Sequence, residues 1–320
     1  MLRRALLAAG ESRFLEHQVT TRAPARRIAL RFIAGETLDD GIAAVRSVVA
    51  EGKTATLDYL GEAVATTDDA RAAQRMILQT IARIAEESLP SGVSVKPTQM
   101  GLAFDPGLAY RLLDEIAEAA GRIDAHVNLD MEGSDVTEAT VALCERLRAD
   151  GHSNVGCALQ SYLKRNQDDV ERLSRAGVSL RLTKGAYDEP PEVAYQRARE
   201  VDLSFARSAA WLLANGHYPR IATHDERLIE HAKRISIREG VSPDNFEFQM
   251  LYGVRRPLQD NLVSAGWRLR IYIPFGSQWY PYFMRRLAER PANLIFFLRA
   301  LVGSGAGARV NRQPAQRPTR

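Results

Sequence analysis

The chain has only two cysteines, Cys144 and Cys157, among 320 residues. They lie in separate segments without CxxC spacing, which argues against a disulfide scaffold and for a reducing compartment, the cytoplasm. Long apolar runs are missing as well. The most apolar stretch, Leu294 to Gly303, carries Arg299 and falls well short of the roughly 20 residues that a membrane helix needs. The opening MLRRALLAAGESR is too brief for a secretory hydrophobic region. No GxxxxGK[ST] and no GxGxxG between strand and helix occurs, so neither a P-loop nor a Rossmann dinucleotide site is supported. The six histidines form no HExxH and are widely spread, so no metal site is expected, and neither serine nor cysteine sits in a nucleophile elbow.

Net charge is also scarce. Lys plus Arg number 43 and Asp plus Glu 39, and the run 303–320 holds Arg309, Arg312, Arg317 and Arg320 with no acid, so the rest of the chain balances at 43 − 4 = 39 against 39. A neutral body without interleaved aromatic and basic residues gives no footprint for nucleic acid. The run 303–320 is rich in Gly, Pro and Arg and poor in residues to bury, so it is expected to be a disordered basic tail.

What the chain does contain is alternation. Eight short β-like runs, ATLDYLG from Ala55, VSVKP from Val93, HVNLDM from His126, VGCALQ from Val155, VSLRLTKG from Val178, RIATHD from Arg220, FEFQML from Phe246 and WRLRIYIPFG from Trp267, start 21 to 42 residues apart. Amphipathic patterns of period 3.6 fill the gaps, such as Leu108, Leu112, Leu113, Ile116 and Ala119. Each gap holds a helix and two loops, as parallel strands require. The expected fold is α/β, a (βα)8 TIM-type barrel over 41–302, with extra N-terminal helices in 1–40 and a C-terminal helix after the last strand.

Seven of the eight runs end in polar residues: Lys96, Asp130, Gln160, Arg181 with Lys184, Thr223 with His224, Gln249, and Tyr272. In a βα barrel these ends meet at one mouth, where charges of both signs are costly unless paired or liganded, so a polar ligand is implied. Two clusters sharpen this. In RLTKGAY, Arg181 and Lys184 stand beside Gly185 and Ala186, small residues that let a phosphate or reduced ring system approach the backbone. In WYPYFMRRLAER, Pro281 opens a helix with Arg285 and Arg286 in its second turn, where cations gain nothing from the helix dipole and Glu289 can brace them. A guanidinium pair suits a small carboxylate.

Taken together, these motifs resemble the proline dehydrogenase family in its short monofunctional bacterial form. The resemblance covers residues 40 to 300 and rests on VSVKP, NLDME, LQSYL, RLTKGAY, ATHD, FQMLYG, RIYIPFG and YFMRRLAER in that order. It implies a barrel holding FAD noncovalently that oxidises L-proline to Δ1-pyrroline-5-carboxylate and passes electrons to a membrane quinone. Carried onto this chain, it makes Lys96, Arg285 and Arg286 the partners of the substrate carboxylate, and Tyr187, Leu251 and Tyr272 the walls around the ring. Asp130 and Arg181 become catalytic, Arg181 also donating near the flavin N5, with Glu289 steadying the arginine pair. Met131, Gln160, Lys184, Gly185, Ala186, Thr223, His224 and Gln249 become cofactor contacts. The resemblance also implies a cytoplasmic protein that reaches its quinone by peripheral contact at the inner face of the membrane. The length leaves no room for the DNA-binding and aldehyde dehydrogenase segments of larger relatives, so a separate pyrroline-5-carboxylate dehydrogenase is implied for the next step. Among other classes, a Schiff-base aldolase would use Lys96 or Lys184, and a methylenetetrahydrofolate reductase-like flavin barrel would not need the RRLAE motif where it stands.

Overall fold

Short β-branched runs bounded by loops become strands, and all eight expected ones are present in a computed structural model of the chain, which describes residues 9, 10, 12–21, 26, 29–61 and 64–289. They are β1 Thr54–Tyr59, β2 Ser91–Val95, β3 Val127–Leu129, β4 Val155–Gln160, β5 Ser179–Thr183, β6 Arg220–Ala222, β7 Glu247–Leu251 and β8 Leu269–Phe275. Each pairs in parallel with the next, and β8 returns to β1 to close the barrel. The pairings are uneven. The closing register joins all six residues of β1, Thr54 to Tyr59, with Arg270 to Phe275, whereas β5 and β6 share only Arg181 with Arg220 and Leu182 with Ile221.

The helices among the described residues are α1 Arg13–Thr20, α2 Leu38–Ala50, α3 Thr67–Glu86, α4 Pro106–Gly121, α5 Thr137–Ala149, α6 Asn166–Arg175, α7 Ala198–Asn215, α8 Glu226–Arg238, α9 Arg256–Ser264 and α10 Tyr280–Glu289. Their starts are written locally. Thr37 with Asp40, and Thr66 with Asp69, form reciprocal capping boxes at α2 and α3. Asp105 accepts from the Leu108 amide at the head of α4, where Pro106 takes the first position. The α4 stripe of Leu108, Leu112, Leu113 and Ile116 is buried, and each such side chain contributes about 2 kcal/mol of transfer free energy.

Strand residues that turn outward are apolar: Ala55, Leu57, Val93, Val95, Val127, Leu129, Cys157, Leu159, Leu180, Leu182, Phe248, Met250, Ile271 and Ile273 pack with the helices in one continuous core. The bore is different. Hydrogen bonds run across it from Arg181 on β5 to Ser94 on β2, and from Tyr272 on β8 to Asp130 just past β3. Low in the bore, Arg270 and Gln249 both bond Glu247, and Arg220 meets His126. The hydrophobic core is therefore the annulus between sheet and helices, and the lumen is filled with paired polar groups.

The unit Arg31–Trp279 contains the barrel, and a second unit contains α1 and α10. Within that second unit the Tyr280 hydroxyl donates to the Ala9 carbonyl at 2.9 Å, and a β-carbon on Gly10 would lie 3.2 Å from Met284. The division thus falls at Arg31 and Trp279, and the tail expected from residue 303 lies outside the described residues. No described helix is long and apolar enough to cross a membrane.

Candidate active site

The C-terminal strand ends gather two acid–base pairs. Asp58, the fifth residue of β1, is fully buried, and the Lys96 ammonium just past β2 lies 2.9 and 3.0 Å from its two carboxylate oxygens. Asp130, just past β3, accepts at one oxygen from Arg181 (2.6 Å), Ser94 (2.6 Å) and Asn128 (3.2 Å), and at the other from the Tyr272 hydroxyl (2.7 Å). The Arg181 guanidinium also donates to the Ser94 hydroxyl at 3.0 Å and sits 5.3 Å from the centre of the Tyr272 ring. Two carboxylates against two cations leave this largely buried quartet formally neutral, which is how charges survive desolvation.

The environment sets protonation. Burial pushes the Asp58 carboxyl above its ordinary range, the attraction of Lys96 opposes this, and the Asp130 charge adds to it. Burial, with Asp130 and Asp58 nearby, raises the Tyr272 phenol well above its usual value, so it remains a hydrogen-bond donor.

Along the rest of the rim the expected residues converge in part. Gln160 ends β4 and its amide donates to the carbonyls of Met131 and Glu132 at 2.9 and 2.8 Å, which ties the β3 loop to β4. Lys184 follows β5 and its ammonium contacts Asp202 (2.6 Å) and Asp225 (3.1 Å), both of which also meet Arg227. Hydrogen bonds from Arg227 and Lys184 hold the Asp225 carboxyl well below the usual carboxylate range. Asp225 also caps α8 by accepting from the Arg227 amide. Lys96 and Lys184 are thus both matched by carboxylates, a poor state for an amine nucleophile, which disfavours the aldolase alternative.

Gly185 is fixed by geometry: its φ of +104° is left-handed, and a β-carbon there would fall 2.2 Å from the Tyr162 ring. The small residue is thus required by Tyr162. Thr223, past β6, accepts from the Asp225 amide. His224 accepts the Leu251 amide at Nε2, 2.9 Å, joining the ends of β6 and β7. Gln249 faces the other way and donates to Glu247 low in the bore at 2.6 Å. Leu251 ends β7 and is half-buried, as are Tyr187 and Ala186 in the loop after β5. Arg285, Arg286 and Glu289 lie on α10, in the second unit, where the Arg286 guanidinium stands 5.1 Å from the centre of the Tyr282 ring; the Glu289 side chain is outside the described residues.

Asp58, Ser94 and Asn128 escaped the sequence reading. The signal was present: Asp58 lies inside ATLDYLG, near the end of its strand like the other polar termini, and Ser94 and Asn128 stand two residues before Lys96 and Asp130 on the same face.

Whether a flavin fits can be asked of the bore itself. Two buried polar atoms at adjacent strands lack hydrogen-bond partners, the Arg181 Nε donor and the Gln160 Oε1 acceptor. A planar ring system bearing both donors and acceptors on its edge satisfies such a pair, so the residues fit the group.

The sequence matches the model of the family described as proline dehydrogenase over residues 42–299. It is 38% identical over 276 residues to proline dehydrogenase 2 of Bacillus subtilis strain 168, covering 86% of this chain and 91% of that protein. Proline dehydrogenase of Deinococcus radiodurans is 36% identical over 287 residues, with 86% and 90% covered. A crystal structure of proline utilization A from Bdellovibrio bacteriovorus, inactivated by N-propargylglycine, shares the fold with a TM-score of 0.79 at 24% identity; it covers 88% of this chain, which spans about a third (34%) of that longer one. On the extent and level of these matches, the chain belongs to the proline dehydrogenase family.

Proposed function

We propose that the protein oxidises L-proline to Δ1-pyrroline-5-carboxylate on a noncovalently bound FAD, with a membrane quinone reached by peripheral contact as the final electron acceptor. Proline oxidation, the first step of proline catabolism, is the activity of the family; the cofactor, the electron route and the residue roles are our reading. The observation that supports it best is Arg181, a buried guanidinium held by Asp130 in the bore with its Nε unpartnered.

In this reading Met131, Gln160, Lys184, Gly185, Ala186, Thr223 and His224 hold the cofactor. Gln249 belongs to the same set only through its backbone or a turned side chain, because its amide is engaged by Glu247. When bound, the flavin supplies the two-electron acceptor that no side chain can provide. Arg181 contributes a fixed positive field where negative charge develops, in place before reaction because Asp130 and Ser94 already orient it. Lys96, Arg285 and Arg286 bind the substrate carboxylate, with Glu289 steadying the arginines. Tyr187, Leu251 and Tyr272 wall the ring and exclude water. Tyr272 keeps its proton and spends it on Asp130. The next oxidation falls to a separate pyrroline-5-carboxylate dehydrogenase.

The test is optical. Purified protein is expected to be yellow, with a flavin spectrum that bleaches anaerobically when L-proline is added. A protein without flavin after denaturation would overturn the reading. Proline's ring nitrogen must also be unprotonated for its lone pair to assist the oxidation, so catalytic efficiency is expected to rise from neutral pH to pH 9; a flat profile would exclude that step.

A further inference from the structure

Asp58 is a carboxylate at the mouth of the bore with no part in the reading above. Asp58 is fully buried, and its register on β1 sets it opposite Ser94 of β2, with Lys96 two residues further along the same inner face. The Lys96 ammonium spans both of its oxygens, at 2.9 and 3.0 Å. We propose that Asp58 is a positioning residue for substrate recognition: it holds the Lys96 ammonium in place before the substrate carboxylate arrives. This rests on the reading of Lys96 as a carboxylate partner.

A lysine carries four rotatable bonds, and an interior ammonium without a partner sheds its proton readily. Lys96 is 5% exposed, so its ammonium is placed by protein groups rather than by solvent. The other charged or titratable groups that form this wall of the bore are Asp130 from the end of β3, Arg181 from β5 and Tyr272 from β8. Asp130 is already committed to Arg181, Ser94, Asn128 and Tyr272. Asp58 meets the Lys96 ammonium with both of its oxygens, and organising the amine in advance removes an ordering cost from binding.

The experiment is a double-mutant cycle on the holoenzyme with Asp58→Asn and Lys96→Met, read as proline KM and kcat from pH 6.5 to 9. Asp58→Asn is expected to raise KM roughly tenfold at pH 8 with a smaller change in kcat. In the Lys96→Met background the same substitution is expected to change KM less than about threefold. Independent effects, or an unaltered KM in the single variant, would overturn the proposal. The cycle is also read in urea midpoints without substrate. If Asp58→Asn does not fold, recovery in the double variant supports the pair, and failure of the double as well overturns it. A Lys96→Met variant with unchanged KM refutes the carboxylate reading of Lys96 instead, while the urea cycle still reports on the pair.

Discussion

Removing the Asp130 carboxylate is the sharpest test of how the bore holds its charges. Alanine at this position deletes the acceptor of four hydrogen bonds, from Arg181, Ser94, Asn128 and Tyr272. It strands the Arg181 guanidinium, whose side chain is 5% exposed and whose Nε already lacks a partner. Breaking a buried pair from one side costs about 3–5 kcal/mol, because the surviving charge remains desolvated. Asparagine keeps one acceptor oxygen and the shape, so its cost is about 1–2 kcal/mol. Replacing both partners, Asp130→Ala with Arg181→Met, removes the stranded charge, and the double variant is expected to be more stable than Asp130→Ala alone by at least ~1 kcal/mol. Urea unfolding followed by circular dichroism measures this. With a slope of about 3 kcal/mol/M, the alanine variant's midpoint falls by roughly 1–1.7 M. A shift under about 0.3 M, or a double variant less stable than the single, would show that Arg181 does not depend on Asp130 and would refute the picture of a bore built from matched pairs.

Other outcomes follow from the same geometry. Gly185→Ala forces a left-handed φ on alanine and drives a methyl into the Tyr162 ring, costing about 2 kcal/mol or more; adding Tyr162→Ala is expected to return part of this in thermal melts, and no return would place the strain elsewhere. His126 is kept neutral by burial and by Arg220, Arg270 and Arg181, so its folded pKa lies well below the unfolded value of 6.5. As pH falls below 6.5 only the unfolded chain takes up this proton, and stability drops by up to about 1.4 kcal/mol per pH unit, a contribution that His126→Gln is expected to remove in urea titrations; equal slopes for the two proteins just below pH 6.5 would contradict it. Arg285→Met and Arg286→Met are each expected to weaken proline binding by ~2–5 kcal/mol while flavin absorbance per protein stays unchanged, and loss of flavin instead would remove them from the carboxylate site.

The barrel was legible because its wall is written in β-branched runs and its helices in capping boxes and 3.6-residue stripes. Strand lengths were less so. HVNLDM and RIATHD yield only three paired residues each, since Asp130, Thr223 and His224 lie past the last ladder position, where Asp130 bonds across the bore and Thr223 and His224 accept from the Asp225 and Leu251 amides. The polar rim could be read from strand termini, but its pairing could not. Asp58 partners a lysine 38 residues away, and Lys184 an aspartate 41 residues away, contacts that depend on barrel register and helix capping together. Gln249 shows the limit of reading by position: its place near a strand end predicted a rim contact, yet Glu247, two residues earlier on the same face, draws its amide downward.

The unequal ladder around the barrel decides where the cylinder gives. Its suture, where the first strand meets the last, is the best-stitched boundary, so the circle does not come undone where the chain had to travel furthest to close it. The slackest boundary is the one between β5 and β6, held by two residue pairs and lying directly beneath the RLTKGAY segment. Local opening of the barrel is therefore expected first on the side that carries Arg181 rather than beside Asp58.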